Sequence, residues 1–165
     1  MKQSITILLI GLFLFSCTSS KMTPEEKKLK QLQVSSMILS KEYTINATQM
    51  SPSKGGVVQL TGGHYLRING EYATAYLPYF GRAHVAPHGE GGIQFEQEKI
   101  EDYEVKKTKK EDGWNISFRI DTPDLYGYHF FLTIFDNGNS SFSVSSSKRD
   151  PISFYGELET PKINK

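Results

Sequence analysis

The sequence predicts a mainly β protein, an antiparallel sandwich or barrel of about nine strands with one N-terminal amphipathic helix. The first observation is that most segments after residue 41 alternate apolar and polar residues, so that one face of each strand lies in a core. The second is that Asn69-Gly70 and Asn137-Gly138 lie between such segments, and this dipeptide favours the two-residue turn of a β-hairpin. Successive strands are therefore expected to pair antiparallel.

The first 16 residues have the features of a secretory signal peptide. Lys2 supplies a positive charge, residues 5–15 are an uncharged and mostly apolar run, and Ser16 is a small residue before Cys17. The run is too short to span a bilayer as a helix. Leu-Phe-Ser-Cys at residues 14–17 resembles the lipobox of bacterial lipoproteins, in which the cysteine is acylated and becomes the first mature residue. We predict a lipoprotein signal peptide over residues 1–16 and lipidation at Cys17; the alternative is a signal peptide without lipidation.

Residues 17–22 would then form the lipid anchor and a short polar tether, which attaches the chain to a membrane without crossing it. No run of acidic residues follows Cys17 of the kind that resembles a surface-export signal, which favours a periplasm-facing location in the cell envelope. Because Cys17 is the single cysteine, its lipidation would exclude a disulfide, a thiolate zinc site and a cysteine nucleophile.

The charge balance excludes one class of partner. Lys and Arg together number 19 and Asp and Glu 18, and loss of Lys2 with the signal peptide makes the two numbers equal. A nucleic-acid interface requires a basic excess, so we predict no nucleic-acid partner. The predicted partners are the membrane, through the lipid anchor, and an unknown small ligand or envelope protein.

Residues 23–160 are predicted to form a single β-rich domain that begins with the helix. Thr23-Pro24-Glu25-Glu26 has the pattern of a helix start, with Thr at the N-cap, Pro at the first helical position and Glu three residues after the cap. Apolar residues then recur until Ser40, and we expect them to form one side that packs on the domain: Leu29, Leu32, Val34, Met37, Ile38 and Leu39.

Strands follow on both sides of a central stretch. Before it, alternation predicts strands over residues 43–48, 57–60, 65–68 and 71–77. After it, one strand begins at residue 93, a second contains residues 103–105, and others cover residues 114–121, 126–135, 142–144 and 152–158. In residues 126–135 both faces are apolar, because Phe131 and Phe135 alternate with the core residues. We therefore expect that strand to be covered on both faces.

The central stretch, residues 76–95, contains Pro78, Pro87 and four glycines, so it is not a continuous strand or helix. Aromatic rings beside an arginine are typical of sites for sugars, peptides and other flat or amphipathic ligands. We predict a ligand-binding site formed by Tyr76, Tyr79, Phe80, Arg82, His84 and His88. The alternative is that the aromatic residues are buried as a plug at a barrel end or sandwich edge.

Features that would support catalysis are few. His84, His88 and Glu90 would form a metal site only if all three faced one centre, and Pro87 excludes the helix that would place both histidines on one face. The carboxylates that follow interleave with Gln and Lys, as on a solvated strand face: Glu96, Glu98, Glu101, Asp102 and Glu104. No Gly-x-Ser-x-Gly motif supplies a serine nucleophile. We predict no catalytic residue, metal or cofactor; the alternative is an envelope hydrolase that uses carboxylates or a His-bound metal near the central loop.

Several motifs resemble a known family. Tyr-Leu-Pro-Tyr-Phe-Gly-Arg-Ala from residue 76, Gly-Gly-Ile-Gln-Phe from residue 91, Ile-Glu-Asp-Tyr from residue 100 and Pro-Ile-Ser-Phe-Tyr-Gly from residue 151 occur in this order. Together they resemble the Bacteroidota lipoprotein family catalogued as domain of unknown function 4251, over residues 31–158. The resemblance implies a cell-envelope lipoprotein with a mostly β domain and no assigned activity. The predicted function is therefore a non-enzymatic envelope module that binds a small ligand or protein partner.

Overall fold

The computed structural model of the chain describes residues 22–81, 92–121 and 127–159. These residues form one helix and nine strands, as the sequence predicts. In chain order the elements are α1 (Pro24–Leu39), β1 (Glu42–Pro52), β2 (Val58–Gln59), β3 (Tyr65–Asn69), β4 (Tyr72–Leu77), β5 (Ile93–Lys107), β6 (Gly113–Ile120), β7 (Tyr128–Phe135), β8 (Asn139–Ser146) and β9 (Arg149–Leu158).

The strands form a closed antiparallel barrel. From β3 to β9 each strand pairs with the next one along the chain, and β1 pairs with β3 on one side and with β9 on the other. Eight strands therefore close the barrel, while the two-residue β2 is an extra strand beside the second half of β1. The prediction of a sandwich or barrel is confirmed, and the pairing of β1 with β9 decides for the barrel.

Strand β5 accounts for two of the strands that the sequence pattern predicts. It runs without interruption over 15 residues, but Gln97 and Asp102 have φ angles of 50° and 52°. The pairing register with β4 and then with β6 shifts beside these residues, so each lies at a β-bulge. A bulge inserts one residue and reverses the inward and outward alternation, which makes one strand look like two separate segments. Bulges also bend a strand, as the closure of a barrel requires.

The barrel interior is filled with side chains. Inward residues from the eight barrel strands are buried and form one apolar cluster. Aromatic rings stack within it, with ring centroids 4.8 Å apart for Phe118 and Phe130 and 5.0 Å apart for Phe142 and Phe154. An eight-stranded barrel is just wide enough for its own side chains to fill. The interior is a packed core, so the space for a ligand lies at the ends of the barrel and on its outer surface.

One packing prediction is wrong. The outward side of β7 is not covered by the described residues, since Phe131 is 54% exposed and His129 and Phe135 are also at the surface. Strand β7 pairs with β6 and β8 through its edges, and only its inward face meets the core. An apolar outward residue in a barrel strand therefore remains exposed unless another layer packs on it.

The barrel has two different ends. At the helix end, β1 begins, β9 ends and α1 packs, with Val34 and Ile38 fully buried in the core. The Gln31 side-chain amide donates a hydrogen bond to Asp136 after β7, at 2.7 Å. At the loop end, β1 and β4 end and β5 and β9 begin. The antiparallel pairing places these two sets of strand termini at opposite ends of the barrel.

The start of α1 is confirmed in detail. The Glu26 backbone N–H donates to the Thr23 hydroxyl at 3.2 Å, and the Thr23 N–H donates to the Glu26 carboxylate at 2.9 Å, which completes a capping box. One apolar side of α1 packs on the barrel as predicted, through Val34, Met37 and Ile38. The prediction that Leu29, Leu32 and Leu39 belong to that side is wrong, because these three leucines are exposed. Within the described ranges, α1 is too short and too polar to cross a bilayer.

Candidate functional site

Three of the predicted site residues lie together at the loop end of the barrel. Tyr76 is an outward residue near the end of β4, and Tyr79 and Phe80 follow directly after that strand. Pro78 has no backbone N–H to continue the strand pairing, so the chain leaves the sheet there. The other predicted residues, Arg82, His84, His88 and the lipidation site Cys17, lie outside the described residues.

Tyr76 and Phe80 present aromatic faces at the surface. Tyr76 is 45% exposed, and its ring stacks on His64 with a centroid distance of 5.9 Å and an interplanar angle of 8°. This stack restricts the orientation of the tyrosine ring in advance of ligand binding. Phe80 is 60% exposed. A phenylalanine that remains exposed outside a strand gains little from folding, and this favours a role in binding over a role in packing.

Tyr79, in contrast, supports the fold. Its hydroxyl donates a hydrogen bond to the Asp150 backbone carbonyl at 3.2 Å, and its ring lies 4.9 Å from the Arg149 guanidinium. Partial burial raises the pKa of the Tyr79 phenol, so it is protonated and able to donate at neutral pH. The ring folds back over Gly81, where an added Cβ would lie 2.5 Å from the tyrosine hydroxyl. For Tyr79 the geometry fits the alternative of a plug.

Arg149 joins the two sides of the central stretch, and its role was not predicted from the sequence. It is a buried charged residue at the start of β9. Its guanidinium donates to the Gly92 carbonyl at 2.9 Å and also lies over the Tyr79 ring. One side chain thus contacts the chain before residues 82–91 and the chain after them. In the sequence, Arg149 is an arginine beside a turn. An arginine in that position is usually exposed to solvent, so the sequence does not indicate its role.

Two clefts meet at Tyr79 and Phe80. The stacking cleft has a volume of about 230 Å³ and is lined by His64, Tyr76, Leu77, Pro78, Tyr79, Phe80, Gly92 and Gln94. The lysine cleft has a volume of about 540 Å³ and is lined by Pro52, Ser53, Lys54, Tyr79, Phe80, Gly81 and Asp150. Phe80 is therefore a wall shared by an aromatic cleft and a cleft with charged residues. This combination suits a ligand with one apolar face and polar or charged groups at its edge.

A third concave surface, the outer groove, lies on the outside of strands β5 to β9 and has a volume of about 440 Å³. Phe131 pairs with Ser117 on one neighbouring strand and with Ser143 on the other, so a large ring stands among small side chains. Tyr155 is a second exposed aromatic residue at this groove. In the sequence, the groove corresponds to small residues at outward positions: Ser141, Ser143 and Ser153. They indicate a groove only when the strand order is known, because the strand order brings them next to Phe131.

Comparison with known families gives one match over most of the chain. The model of the family described as "Domain of unknown function (DUF4251)" matches residues 25–158. The chain belongs to the DUF4251 family. This confirms the resemblance found in the sequence, and the matched residues include α1 from its second residue, the nine described strands and Tyr76, Tyr79 and Phe80 at the loop end.

A solved structure shares the DUF4251 fold. The crystal structure of a DUF4251 family protein from Bacteroides eggerthii DSM 20697 superposes with a TM-score of 0.61 and 16% sequence identity, over 79% of this chain and 87% of that chain. At this identity the similarity concerns the fold alone. No curated protein matches the sequence significantly.

Three of the carboxylates of this DUF4251 chain that could serve a hydrolase, Glu101, Asp102 and Glu104, are exposed and paired with cations. Arg119 contacts Glu101 and Asp102 at 2.7 Å each, and Lys106 contacts Glu104 at 2.7 Å. The hydrogen bond from Lys106 lowers the pKa of Glu104, whereas a general acid requires a raised one. Among residues 22–81, 92–121 and 127–159, no three His, Cys, Asp or Glu residues are placed to hold a metal ion. His84, His88 and Glu90 lie outside these ranges.

Proposed function

We propose that this DUF4251 protein is a lipid-anchored protein of the cell envelope whose barrel binds a small ligand or a protein partner, without catalysis. The observation that carries the proposal is the exposure of Tyr76 and Phe80 on the walls of two adjoining clefts at the loop end. The barrel core below is closed by its own side chains, and Arg149 and Tyr79 hold the base of the site. A rigid base below exposed rings is the arrangement of a preorganised binding surface.

The chemistry of the two clefts suggests the class of ligand. The stacking cleft offers the faces of Tyr76 and Phe80, and aromatic faces suit the apolar side of a sugar ring or a peptide side chain. The lysine cleft adds the Lys54 ammonium and the Asp150 carboxylate at its rim. Sugars and short peptides of the envelope combine an apolar face with polar or charged groups, and muropeptides carry both. These compounds are the first ligands to test.

Thermal shift is the measurement for the binding site. The parent chain is screened against muropeptides, envelope sugars and metal ions, and one class is expected to raise its melting temperature. In Phe80→Ala this shift is expected to disappear, while the melting temperature without ligand stays close to that of the parent. Truncation of a 60% exposed side chain changes the free energy of unfolding by only about 0.5 kcal/mol.

Phe131→Ala is the matched control, because it removes a similarly exposed phenylalanine from the outer groove. It is expected to keep the ligand-induced shift. Loss of the shift in Phe131→Ala and not in Phe80→Ala would move the site to the outer groove. A large loss of stability in Phe80→Ala without ligand would support the plug. A shift with metal ions alone would favour the metal-dependent hydrolase.

The lipid anchor has a separate test. Cys17→Ala removes the thiol that the lipobox-like residues would present for acylation. The parent chain is expected to partition into the detergent phase with the mass of its acyl groups, and the variant is expected to lose this mass and the membrane retention that depends on it. The barrel of the variant should remain folded by circular dichroism. A parent chain of unmodified mass would argue against lipidation.

A further inference from the structure

The outer side of α1 carries leucines that no described residue covers. Leu29, Leu32 and Leu39 are 60%, 59% and 63% exposed. They recur at intervals of three and seven residues, which places them along one side of the helix. We call these three residues the leucine face. Single exposed leucines are common in proteins, but three aligned on one helix form a patch that fits a partner surface.

The leucine face lies on the opposite side of the helix from the residues that pack on the barrel. At about 100° per residue, Leu32 lies about 160° around the axis from Val34, and Leu29 about 180° from Ile38. Val34 and Ile38 are fully buried, so α1 already has its packing face. The helix thus has two apolar sides, and the stability of the barrel explains only one of them.

The position of α1 in the chain indicates what covers the second side. Cys17 precedes Pro24 by seven residues, and a fully extended segment of that length reaches at most about 25 Å. A chain acylated at Cys17 therefore keeps α1 close to the bilayer surface. On the same side of the helix, Lys28 lies one turn before Leu32 and Glu25 one turn before Leu29, and α1 as a whole contains three lysines and two glutamates. Lysines around an apolar face are typical of helices that lie at a phospholipid surface.

A second copy of the chain explains the leucine face less well. A stable protein interface buries at least about 1,000 Å² in total, whereas three leucine side chains on one helix form a narrow strip. A bilayer requires no minimum buried area, because even a narrow apolar strip on a helix can enter the headgroup region.

We propose that the leucine face of α1 lies in the headgroup region of the phospholipid bilayer that holds the acyl anchor. The helix end of the barrel then rests on the membrane, and the loop end, with Tyr76 and Phe80, points away from it. This inference rests on the lipid anchor of the proposed function, but it is independent of the ligand-binding site. It assigns to α1 the role of orienting the barrel.

Tryptophan fluorescence in vesicles tests the position of α1. The full chain is acylated at Cys17 and reconstituted in vesicles of phosphatidylethanolamine and phosphatidylglycerol. Trp114, the single tryptophan, is replaced by Phe, and one reporter is introduced by Leu32→Trp or Val57→Trp. Both positions are exposed, and Val57 lies at the loop end. We expect the reporter at 32 to emit at shorter wavelength and to be quenched by nitroxide lipids, since an interfacial helix enters the bilayer by about 5–10 Å.

The same reporter at 57 is expected to remain in water and unquenched. Adding Leu29→Ser and Leu39→Ser to the chain with Leu32→Trp should reduce quenching at least about twofold, because most of the apolar area is lost. Equal and weak quenching at both positions would overturn the proposal. So would a blue shift at 32 without vesicles that grows with protein concentration, which would assign the leucine face to a second copy. If the chain proves not to be acylated, its Cys17 thiol is coupled to a maleimide lipid instead. The position of α1 is then still measured, so failure of the predicted lipidation is distinguished from failure of this inference.

Discussion

Gly156→Ala is expected to lower the free energy of unfolding by about 3 kcal/mol, because the new methyl group would overlap backbone atoms of the neighbouring strand. An added Cβ would overlap the Asn46 carbonyl oxygen and lie 2.9 Å from its carbonyl carbon and 3.1 Å from the Ala47 Cα. Overlap with a flexible side chain is relieved by rotation about a bond. Overlap with backbone requires the two strands to separate.

The position of Gly156 makes this separation costly. It pairs with Ala47 between β9 and β1, where the barrel closes, and the register shifts directly after this pair. Separation of these strands breaks backbone hydrogen bonds between β1 and β9. Among the described strands none can replace them, since the other edge of β1 already pairs with β2 and β3. The expected result is a much lower urea midpoint, with an unchanged slope if the unfolded state is unaffected.

Gly62→Ala is the matched control for this substitution. An added Cβ at Gly62 has no atom within 4 Å, and the residue does not have a positive φ. Its free energy of unfolding is expected to stay within about 1 kcal/mol of the parent, or to rise slightly through reduced entropy of the unfolded chain. Equal midpoints for Gly156→Ala and the parent would show that β1 and β9 can separate without loss, which would contradict the closed barrel.

The strands were predictable from sequence because alternation is a local property that requires only one buried face per strand. Closure was not predictable in the same way. The pairs that close the barrel, such as Ile45 with Leu158, join the two ends of the domain, and no local pattern distinguishes them from the edges of a sandwich. The bulges at Gln97 and Asp102 were missed for a related reason, since each interrupts the alternation from which strands are recognised.

The candidate site was predictable in part. Tyr76 and Phe80 belong to a proline-interrupted aromatic segment, and their residue types alone indicate binding. Arg149 could not be found in this way, because only barrel closure brings it to Gly92 and Tyr79. For the helix, the local structure was predictable from sequence and the packing was not. The helix itself was correctly predicted, but which of its apolar residues are buried depends on how α1 lies on the barrel.

Phe130→Ala is the second substitution with a large expected effect. Phe130 is fully buried, stacks on Phe118 at 4.8 Å and meets the edges of Phe95 at 6.0 Å and Tyr128 at 6.5 Å. Removal of the ring leaves a cavity among these side chains, which strands on both sides hold in place. We expect the free energy of unfolding to fall by about 3–5 kcal/mol, measured by urea denaturation.

The neighbouring residue provides a control of the same type on the same strand. Phe131 points outward, so Phe131→Ala removes an equal ring that is already half in water, and a loss of about 1 kcal/mol or less is expected. The two values should therefore differ several-fold although the substitutions are adjacent and identical in chemistry. If Phe131→Ala destabilised the protein as strongly as Phe130→Ala, its ring would have to be buried in solution. The outer groove would then be covered by a partner or a second copy.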